Sequence, residues 1–328
     1  MKVVSYTFGR YICFITFLCF AVGVVLIGKI SAQDQKTPVI PSNSDSAVTE
    51  NNEPIVVNTK LITFNVSVND VNGFAVTGLS KNDFNIFDNK IPQDIHFFSD
   101  EDVPVSISVI LDTSGSMSGN KIMQAKEALA NFIQTSKEQD EFFLIDVGSK
   151  ANLLLNATRN SEAVLGKFSY VEPKGNTALF DAVNLGVEKV KRGSHAKKIV
   201  LIISDGEDNN SRFSFKDLKK QLKESDAIIY AVGIGGTFSY VPKGLNGRDT
   251  LKELAAVSGG KAYFPETESE LNEVFDRIAL DIRHLYSIGY YPAESPSDKK
   301  NHQITVKVKA PDNSTRLVVN TRKSYITE

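Results

Sequence analysis

The sequence predicts an α/β protein in which a doubly wound, mostly parallel sheet is inserted in a small β-sandwich. Between residues 103 and 283, apolar runs of strand length alternate with segments of helical periodicity. That alternation is typical of a parallel sheet covered by helices on both faces. On either side, residues 55–102 and 284–328 show the two-residue alternation of half-buried strands and no helical signal. We therefore expect these β-rich flanks to pack on each other as one sandwich.

The first 54 residues have the pattern of an export segment followed by a linker. Residues 11–28 contain no charged side chain and follow two basic residues. This pattern favours a secretory signal with cleavage after Ala32; at ~1.5 Å per residue the run is also about long enough for a retained signal anchor. Residues 33–54 are polar and poor in large apolar side chains, which favours a flexible linker. The rest of the chain is then exported: periplasmic, secreted or associated with the cell envelope.

Composition argues against several classes of function. The formal net charge is −2 and no long basic run occurs, so nucleic-acid binding has little support. Lys197 and Lys198 are expected in a solvated loop after a helix. Both cysteines, Cys13 and Cys19, fall inside the export segment. The remainder of the chain therefore offers neither a disulfide framework nor a thiolate metal site.

Local patterns place the individual elements. In the amino-terminal flank, Ile62, Phe64, Val66 and Val68 alternate with polar residues, which predicts a first strand. Further flank strands are predicted at 83–87, 91–98, 285–290, 304–308 and 317–319. The central region is expected to contain strands at 105–111, 141–147, 151–155 (an edge strand), 199–204, 227–232 and 261–264. Its helices are expected at 120–136, 161–168, 178–191, 214–224, 249–258 and 269–283.

Three separated segments carry oxygen-rich side chains where predicted strands end. Residues 112–116, Asp-Thr-Ser-Gly-Ser, follow the first central strand, and residues 204–206, Ser-Asp-Gly, follow a later one. Residues 175–177, Gly-Asn-Thr, precede a helix. An open α/β sheet gathers such segments beside the carboxyl ends of its strands. Helix capping would account for one segment alone, but the three in order predict a site of hard oxygens for a divalent cation. Glu207 and Asp208 are expected to be solvated loop residues.

The pattern D-x-S-x-S, with a later Thr and a later Asp, resembles the metal-ion-dependent adhesion site of von Willebrand factor A (VWA) domains. The resemblance spans about residues 103–283. In that family the serines and the threonine bind the metal through hydroxyl groups, and the two aspartates bind it directly or through water. The resemblance implies the metal ligands Asp112, Ser114, Ser116, Thr177 and Asp205. The flanks, at Val68-Asn69-Asp70 and Tyr290-Tyr291-Pro292, are similar to bacterial VWFA-related domain proteins.

Mg²⁺ is the expected ion, with Mn²⁺ and Ca²⁺ as alternatives. Mg²⁺ retains water ligands and accepts carboxylates that act through water, whereas Zn²⁺ favours His or Cys. The four histidines are scattered and none adjoins the motif. Two carboxylates, one or both of them acting through water, leave residual positive charge on the ion, so its open position would take an exposed Asp or Glu of a partner protein. The sequence thus predicts an exported, non-catalytic binding protein.

Two further expectations concern the surroundings of this site and a competing function. Tyr170, Phe238 and Tyr240 are in loops that border the metal face, where they would contact a partner or cover a local apolar cluster. The alternative function is a metal-dependent phosphatase or hydrolase that uses Asp112. Ser114 stands where such enzymes usually place a second carboxylate, and a serine cannot act as an acid or base near neutral pH. A structural role at the envelope is a third option.

Overall fold

The computed structural model describes residues 60–235, 246–292, 301–310 and 316–326. The predicted export segment and linker lie outside these residues, as do Phe238 and Tyr240. The described residues form fourteen strands and six α-helices. Within the described ranges, no helix combines the length and the apolar character that crossing a membrane requires.

The strands fall into three groups along the chain. The amino-terminal flank contains β1 (Ile62–Asn69), β2 (Phe84–Asp88), β3 (Ile91–Gln93) and β4 (Ile95–Ser99). The central region contains β5 (Val105–Asp112), β6 (Glu141–Val147), β7 (Ala151–Thr158), β8 (Lys197–Ser204), β9 (Ile228–Gly233) and β10 (Lys261–Tyr263). The carboxyl-terminal flank contains β11 (Tyr286–Tyr290), β12 (Asn301–Val308), β13 (Val318–Thr321) and β14 (Ser324–Ile326).

The central sheet is doubly wound, which confirms the predicted fold class. Its strand order is β10-β9-β8-β5-β6-β7, and every neighbouring pair is parallel except β6 with β7. The helices are α1 (Asn120–Gln134), α2 (Ser161–Ser169), α3 (Leu179–Lys191), α4 (Phe215–Lys223), α5 (Gly247–Ser258) and α6 (Glu268–Arg283). Helices α1, α2 and α6 share one apolar core with the sheet, and α3, α4 and α5 share the core on its opposite face. All eight residues of β5 are buried between these layers.

The flanks form two antiparallel four-stranded sheets, and each sheet takes strands from both ends of the chain. One has the order β13-β1-β11-β4 and the other β14-β12-β2-β3. Val66 and Ile288 from the first sheet and Ile86 and Tyr325 from the second lie in one common apolar core. Because apolar residues alternate along these strands, one face of each sheet is apolar and the two apolar faces pack together.

A buried polar cluster links the sandwich to the central domain. The Asn69 side chain at the end of β1 donates to Asp281 of α6 over 2.9 Å. Lys261 at the start of β10 donates to the side-chain amide oxygen of Asn69 over 2.6 Å and forms an ion pair with Asp281. Asn69 and Asp281 are both buried, so each polar group depends on the others to replace its contacts with water.

A second polar cluster lies where the chain enters and leaves the central domain. Asp140 accepts a hydrogen bond from the Val105 backbone, where β5 begins, and pairs with Arg283, where α6 ends. Lys197 donates to the carbonyl of Glu101 over 2.9 Å. The expectation that Lys197 and Lys198 lie in a solvated loop was therefore wrong. Both are buried, and they are the first two residues of β8. The Lys197 ammonium group donates hydrogen bonds to backbone carbonyl oxygens at the border of the central domain.

We predict that Asp281→Ala lowers the free energy of unfolding by roughly 3–5 kcal/mol, because it leaves the Lys261 charge buried without its partner. The measurement is the midpoint of urea-induced unfolding at constant m-value. A matched control is Glu273→Ala on the same helix, which breaks the solvent-exposed pair with Arg277 (3.9 Å). This control should cost less than about 1 kcal/mol. Equal effects of the two variants would contradict a structural role for the buried cluster.

Candidate metal centre

Asp112 and Asp205 lie side by side at the carboxyl edge of the central sheet. Asp112 is the last residue of β5, and Asp205 directly follows β8. The two strands are parallel neighbours with Leu111 opposite Ile203, so both acidic residues leave the sheet at the same edge. Three loops at this edge carry the oxygen-rich segments. We call them the first loop (residues 112–119), the second loop (170–178) and the third loop (204–214).

The Asp112 carboxylate is fully buried. One oxygen accepts a hydrogen bond from the Ser114 backbone over 2.9 Å, and the other accepts one from the Ser204 hydroxyl over 2.5 Å. Burial raises the pKa of Asp112 to about 6; the hydrogen bonds from Ser204 and Ser114 oppose this rise, and the nearby charge of Asp205 adds to it. In the described part of the chain, neither Asp112 nor Asp205 pairs with a lysine or arginine. The structure thus holds two acidic groups together without a compensating side chain.

The two serines of the first loop lie next to each other. Their hydroxyl oxygens are 3.0 Å apart, with Ser114 buried and Ser116 exposed. The backbone N–H of Gly115 donates to the Gly175 carbonyl over 3.0 Å, and Lys174 N–H donates to the Thr113 carbonyl over 2.8 Å. These two bonds join the first loop to the second loop.

The third loop holds the second loop in place through Thr177. The Thr177 carbonyl accepts hydrogen bonds of 3.0 Å from the backbones of both Asn209 and Asn210, and its N–H donates to the Asn209 side chain over 2.9 Å. Thr177 is buried, two residues before α3 begins. All three loops are therefore joined by hydrogen bonds at one edge of the sheet.

The third loop also caps helix α3. Ala178 is the N-cap residue and provides no side-chain cap. Instead, Asp208 accepts a hydrogen bond from the Phe180 backbone over 3.2 Å, and Ser211 accepts one from the Asp181 backbone over 3.1 Å. Both bonds satisfy N–H groups that the first turn of a helix leaves without a partner. Asp208 lies in a loop, as expected from the sequence, but it is half-buried and caps α3 instead of facing only solvent.

Two glycines allow the loops to approach so closely. Gly175 has φ of +76°, and a Cβ atom there would lie 2.5 Å from the Ser149 hydroxyl. Gly206 has φ of +83°, and a Cβ atom would lie 2.2 Å from the Gly247 carbonyl oxygen at the start of α5. The positive φ disfavours a side chain at both positions, and at Gly206 the backbone of Gly247 also leaves no space for one. The glycines thus keep Thr177 and Asp205 close to the sheet edge.

The chemistry of this donor set fits a hard divalent cation. The described ranges contain no cluster of three or more His, Cys, Asp or Glu that could hold a metal ion. A cation at this edge would therefore need the hydroxyls of Ser114, Ser116 and Thr177 in addition to the two carboxylates. Oxygen ligands of this kind are those that Mg²⁺ and Ca²⁺ accept. Its positive charge would also offset the repulsion between Asp112 and Asp205.

Four further side chains belong to the loops and the helix start near this edge. The Lys121 ammonium group donates to the Ser116 carbonyl over 3.0 Å, and its stem lies against Gly235. Tyr170, predicted as a partner contact, is 87% exposed, and Met123 on α1 is 67% exposed. Lys126 joins these two regions, because its ammonium group donates to the backbone carbonyls on both sides of Tyr170, at 3.1 and 2.7 Å.

Sequence reasoning missed Lys121 and Met123. A signal was present for Met123, because it falls outside the apolar stripe of α1 formed by Ile122, Ala125 and Leu129, and an apolar residue there must face solvent. No signal marks Lys121, since its contact with Ser116 depends on how the first loop turns before the helix.

Comparison with known proteins agrees with this geometry. Residues 107–207 match the family model of the von Willebrand factor type A domain. Inter-alpha-trypsin inhibitor heavy chain 4 of Mus musculus is 26% identical over 226 residues, which are 62% of this chain and 23% of that protein. The alignment thus spans about a quarter of the length of such relatives.

Solved structures of similar shape include a von Willebrand factor type A protein from Catenulispora acidiphila. It is 14% identical, has a TM-score of 0.48, and the match covers 82% of this chain and 74% of that one. Another is proximal thread matrix protein 1 from the mussel byssus, described with a zinc-occupied MIDAS motif. It is 16% identical with a TM-score of 0.48, covering 60% of this chain and 49% of the mussel chain. The family match thus identifies residues 107–207 as similar to a von Willebrand factor type A domain.

Proposed function

We propose that this chain is an exported binding protein that captures an acidic group of a protein partner through a Mg²⁺ ion. The ion would be held by Asp112, Ser114, Ser116, Thr177 and Asp205. The main support is that hydrogen bonds join the three loops that carry these residues at one edge of the sheet, where Asp112 and Asp205 lie near each other and neither pairs with a lysine or arginine in the described part of the chain. Export is part of the proposal and rests on the apolar segment at residues 11–28.

The proposed ligands suit an ion that captures an acidic group of a partner better than an ion that is merely stored. Two carboxylates would neutralise a divalent cation formally, but hydrogen bonds from Ser204 and Ser114 already draw on the Asp112 oxygens. Binding of either aspartate through water would weaken the neutralisation further. An incompletely neutralised Mg²⁺ with an exchangeable water favours one more oxygen anion, and the Asp or Glu of a partner supplies it. Ser116 is exposed, so such a group has access from solvent.

The surroundings support a protein partner. Tyr170 in the second loop and Met123 in the first turn of α1 are both exposed. Aromatic and methionine side chains are enriched at protein interfaces, because they bury much apolar area on binding. The proposal therefore places the acidic group of the partner at the ion and an apolar part of its surface against Tyr170.

The alternative, a hydrolase or phosphatase using Asp112, gains no support from the arrangement. Both Asp112 oxygens accept hydrogen bonds within the protein, and the residue two positions later is Ser114. Asp205 is the one other carboxylate that the proposal places at the ion. A proton-transfer residue for such an enzyme would have to come from elsewhere.

We predict that Asp112→Asn stabilises the metal-free protein at pH 8. The pKa of Asp112 rises from 3.8 to about 6 on folding. Its contribution to stability is therefore fully present below pH 3.8 and is lost as the pH rises through about 6. This change in pKa corresponds to roughly 3 kcal/mol in the free energy of unfolding, which is the largest gain in stability expected for the variant. Urea unfolding in EDTA between pH 4 and 8 measures this difference in stability. Residue 112 should lower the stability of the wild type as the pH rises over this range, but not that of Asp112→Asn.

The same variant should lose the response to metal. Added Mg²⁺ should raise the unfolding midpoint of the wild type, because a ligand that binds only the folded state stabilises it. Asp112→Asn should show little or no rise. Glu207→Gln is the matched control, since it removes one charge from an exposed residue of the third loop. If Glu207→Gln abolished the metal response as fully as Asp112→Asn, the proposed ligand set would be wrong.

We predict that Lys121→Met raises Mg²⁺ affinity severalfold, because it removes a positive charge beside the proposed ion while leaving all five oxygen donors. Lys121→Arg should bind Mg²⁺ as the wild type does. Isothermal titration with MgCl₂ measures both. A loss of affinity in the methionine variant would mean that the bond from Lys121 to Ser116 shapes the loop and matters more than charge.

We predict that binding of a partner protein depends on the metal ion and on the carboxylates of the partner. Immobilised wild type should retain an envelope or extracellular protein in Mg²⁺ and release it in EDTA, and Asp112→Ala should retain none. Blocking the carboxylates of the applied extract with a carbodiimide and an amine should also abolish retention. A partner that remains bound in EDTA, or after its carboxylates are blocked, would contradict capture through the ion.

A further inference from the structure

The buried polar cluster between the sandwich and the central domain brings an amine, a primary amide and a carboxylate into mutual contact. The Lys261 amine donates to Oδ1 of the Asn69 side chain over 2.6 Å and contacts Oδ2 of Asp281. Nδ2 of the same amide donates to Oδ1 of Asp281 over 2.9 Å. An ion pair alone would need only Lys261 and Asp281. Here the carboxylate bridges an amine and the amide nitrogen that the amine would replace.

The orientation of the Asn69 amide follows from its hydrogen bonds. Two donors point at Oδ1, namely the Ser67 hydroxyl at 2.7 Å and the Lys261 amine. Nδ2 donates to Asp281 and, over 3.1 Å, to the Gly73 carbonyl. Exchanging the oxygen and the nitrogen would set donors against donors, so one orientation satisfies the network. Because Oδ1 is bonded directly to Cγ, the amine lies beside the electrophilic carbon of the amide.

The three groups are shielded from water. Asn69 and Asp281 are buried, and only 15% of the Lys261 side chain is exposed. Burial lowers the pKa of Lys261, and the charge of Asp281 opposes this change without cancelling it. The neutral amine, which is the nucleophilic form, is therefore reached more readily than in water. A fixed geometry and the exclusion of water both favour reaction between neighbouring groups.

We propose that Lys261 and Asn69 form an isopeptide bond once the chain has folded, with Asp281 as the catalytic acid and base. Nζ of Lys261 attacks Cγ of Asn69 to form a C–N bond, and the bond from Cγ to Nδ2 breaks with its electron pair passing to Nδ2. Two protons in all pass from the Lys261 ammonium group through the Asp281 carboxylate to Nδ2. The products are the amide between Nζ and Cγ and one ammonium ion, and nothing is oxidised or reduced.

Ser67 supplies the remaining part of this chemistry. As the amine attacks, negative charge develops on Oδ1 of Asn69. The Ser67 hydroxyl already donates to that oxygen, and Ser67 is itself buried. A donor held in place before the reaction stabilises such a charge without reorganisation. The cluster thus contains a nucleophile, an electrophile, a proton carrier and a donor for the developing charge.

The bond joins the sandwich to the central domain. Asn69 is the last residue of β1 and Lys261 is the first residue of β10, and they are 192 positions apart in the sequence. A covalent link that closes so long a loop restricts the unfolded chain and thereby stabilises the folded one. The bond does not depend on metal binding, so its test is independent of the proposed function.

The test is mass spectrometry of the full chain after digestion with trypsin, which cleaves after lysine and arginine. Asn69 lies in the peptide 61–81, and Lys261, which the bond protects from cleavage, lies in the peptide 253–277. In the wild type these two peptides should be joined, with the mass of their sum less one ammonia. Lys261→Arg should give no joined peptide, because the guanidinium group stays protonated and is not a nucleophile.

Asp281→Asn keeps the shape of the side chain but removes the proton carrier, so it should also give no joined peptide. The matched control is Glu273→Gln, the same change at an exposed position of α6, which should cross-link as the wild type does. Far-UV circular dichroism checks that each variant is folded.

Separate peptides from folded wild type would overturn the proposal, because the cluster would then be an ion pair only. This wild-type result decides the proposal even where a variant fails to fold. A loss of ammonia confined to the peptide 61–81 would also overturn it, because ring closure at Asn72-Gly73 would account for that loss. A joined peptide in Asp281→Asn would contradict the catalytic role of Asp281.

Discussion

The hydrogen bonds between the third loop and the start of α3 are the constraint on which the candidate metal centre depends. Helix α3 begins after Ala178, which has no side chain to cap it. Its first N–H groups are instead satisfied by Asp208 and Ser211 of the third loop. N–H groups at a helix start that have neither a cap nor water as a partner lower the stability of the fold. These hydrogen bonds therefore hold the second loop against the third. The backbone of Thr177 is thereby fixed to the loop that carries Asp205.

In the absence of a cation, the pair of neighbouring carboxylates lowers the stability of the fold. Asp112 is buried, and Asp205 adds a like charge near it. A protein selected only for stability would replace one of these carboxylates by an amide of the same shape, or would add a basic partner. Local features that lower stability without evident compensation are typical of functional sites. This electrostatic argument is independent of any family resemblance, and it points to Asp112 and Asp205, two of the five proposed ligands.

The sequence was sufficient to predict the layered fold and the edge of the sheet where the loops meet. Strand ends and helix starts are local signals, and parallel strands bring their carboxyl ends together by topology. The roles of Asp208 and Lys197 were not predictable, because the groups they serve, Phe180 N–H and the Glu101 carbonyl, are far away in the sequence. Strand β14 was missed for a related reason: it has three residues, and its pairing with β12 is its main cause.

The position of the sandwich explains why the carboxyl edge stays accessible. The chain enters the central sheet at Val105 and leaves it after Arg283, and both ends are tied to Asp140 just before β6 begins. Lys261, which bonds to Asn69 of the sandwich, likewise lies at the start of its strand. All these connections are at the amino edge of the sheet, about 23 Å from Asp112 along the seven residue steps of β5 at ~3.3 Å per residue. The flanks can therefore hold the domain firmly while the opposite edge, with Ser116 and Tyr170 exposed, remains open to a partner.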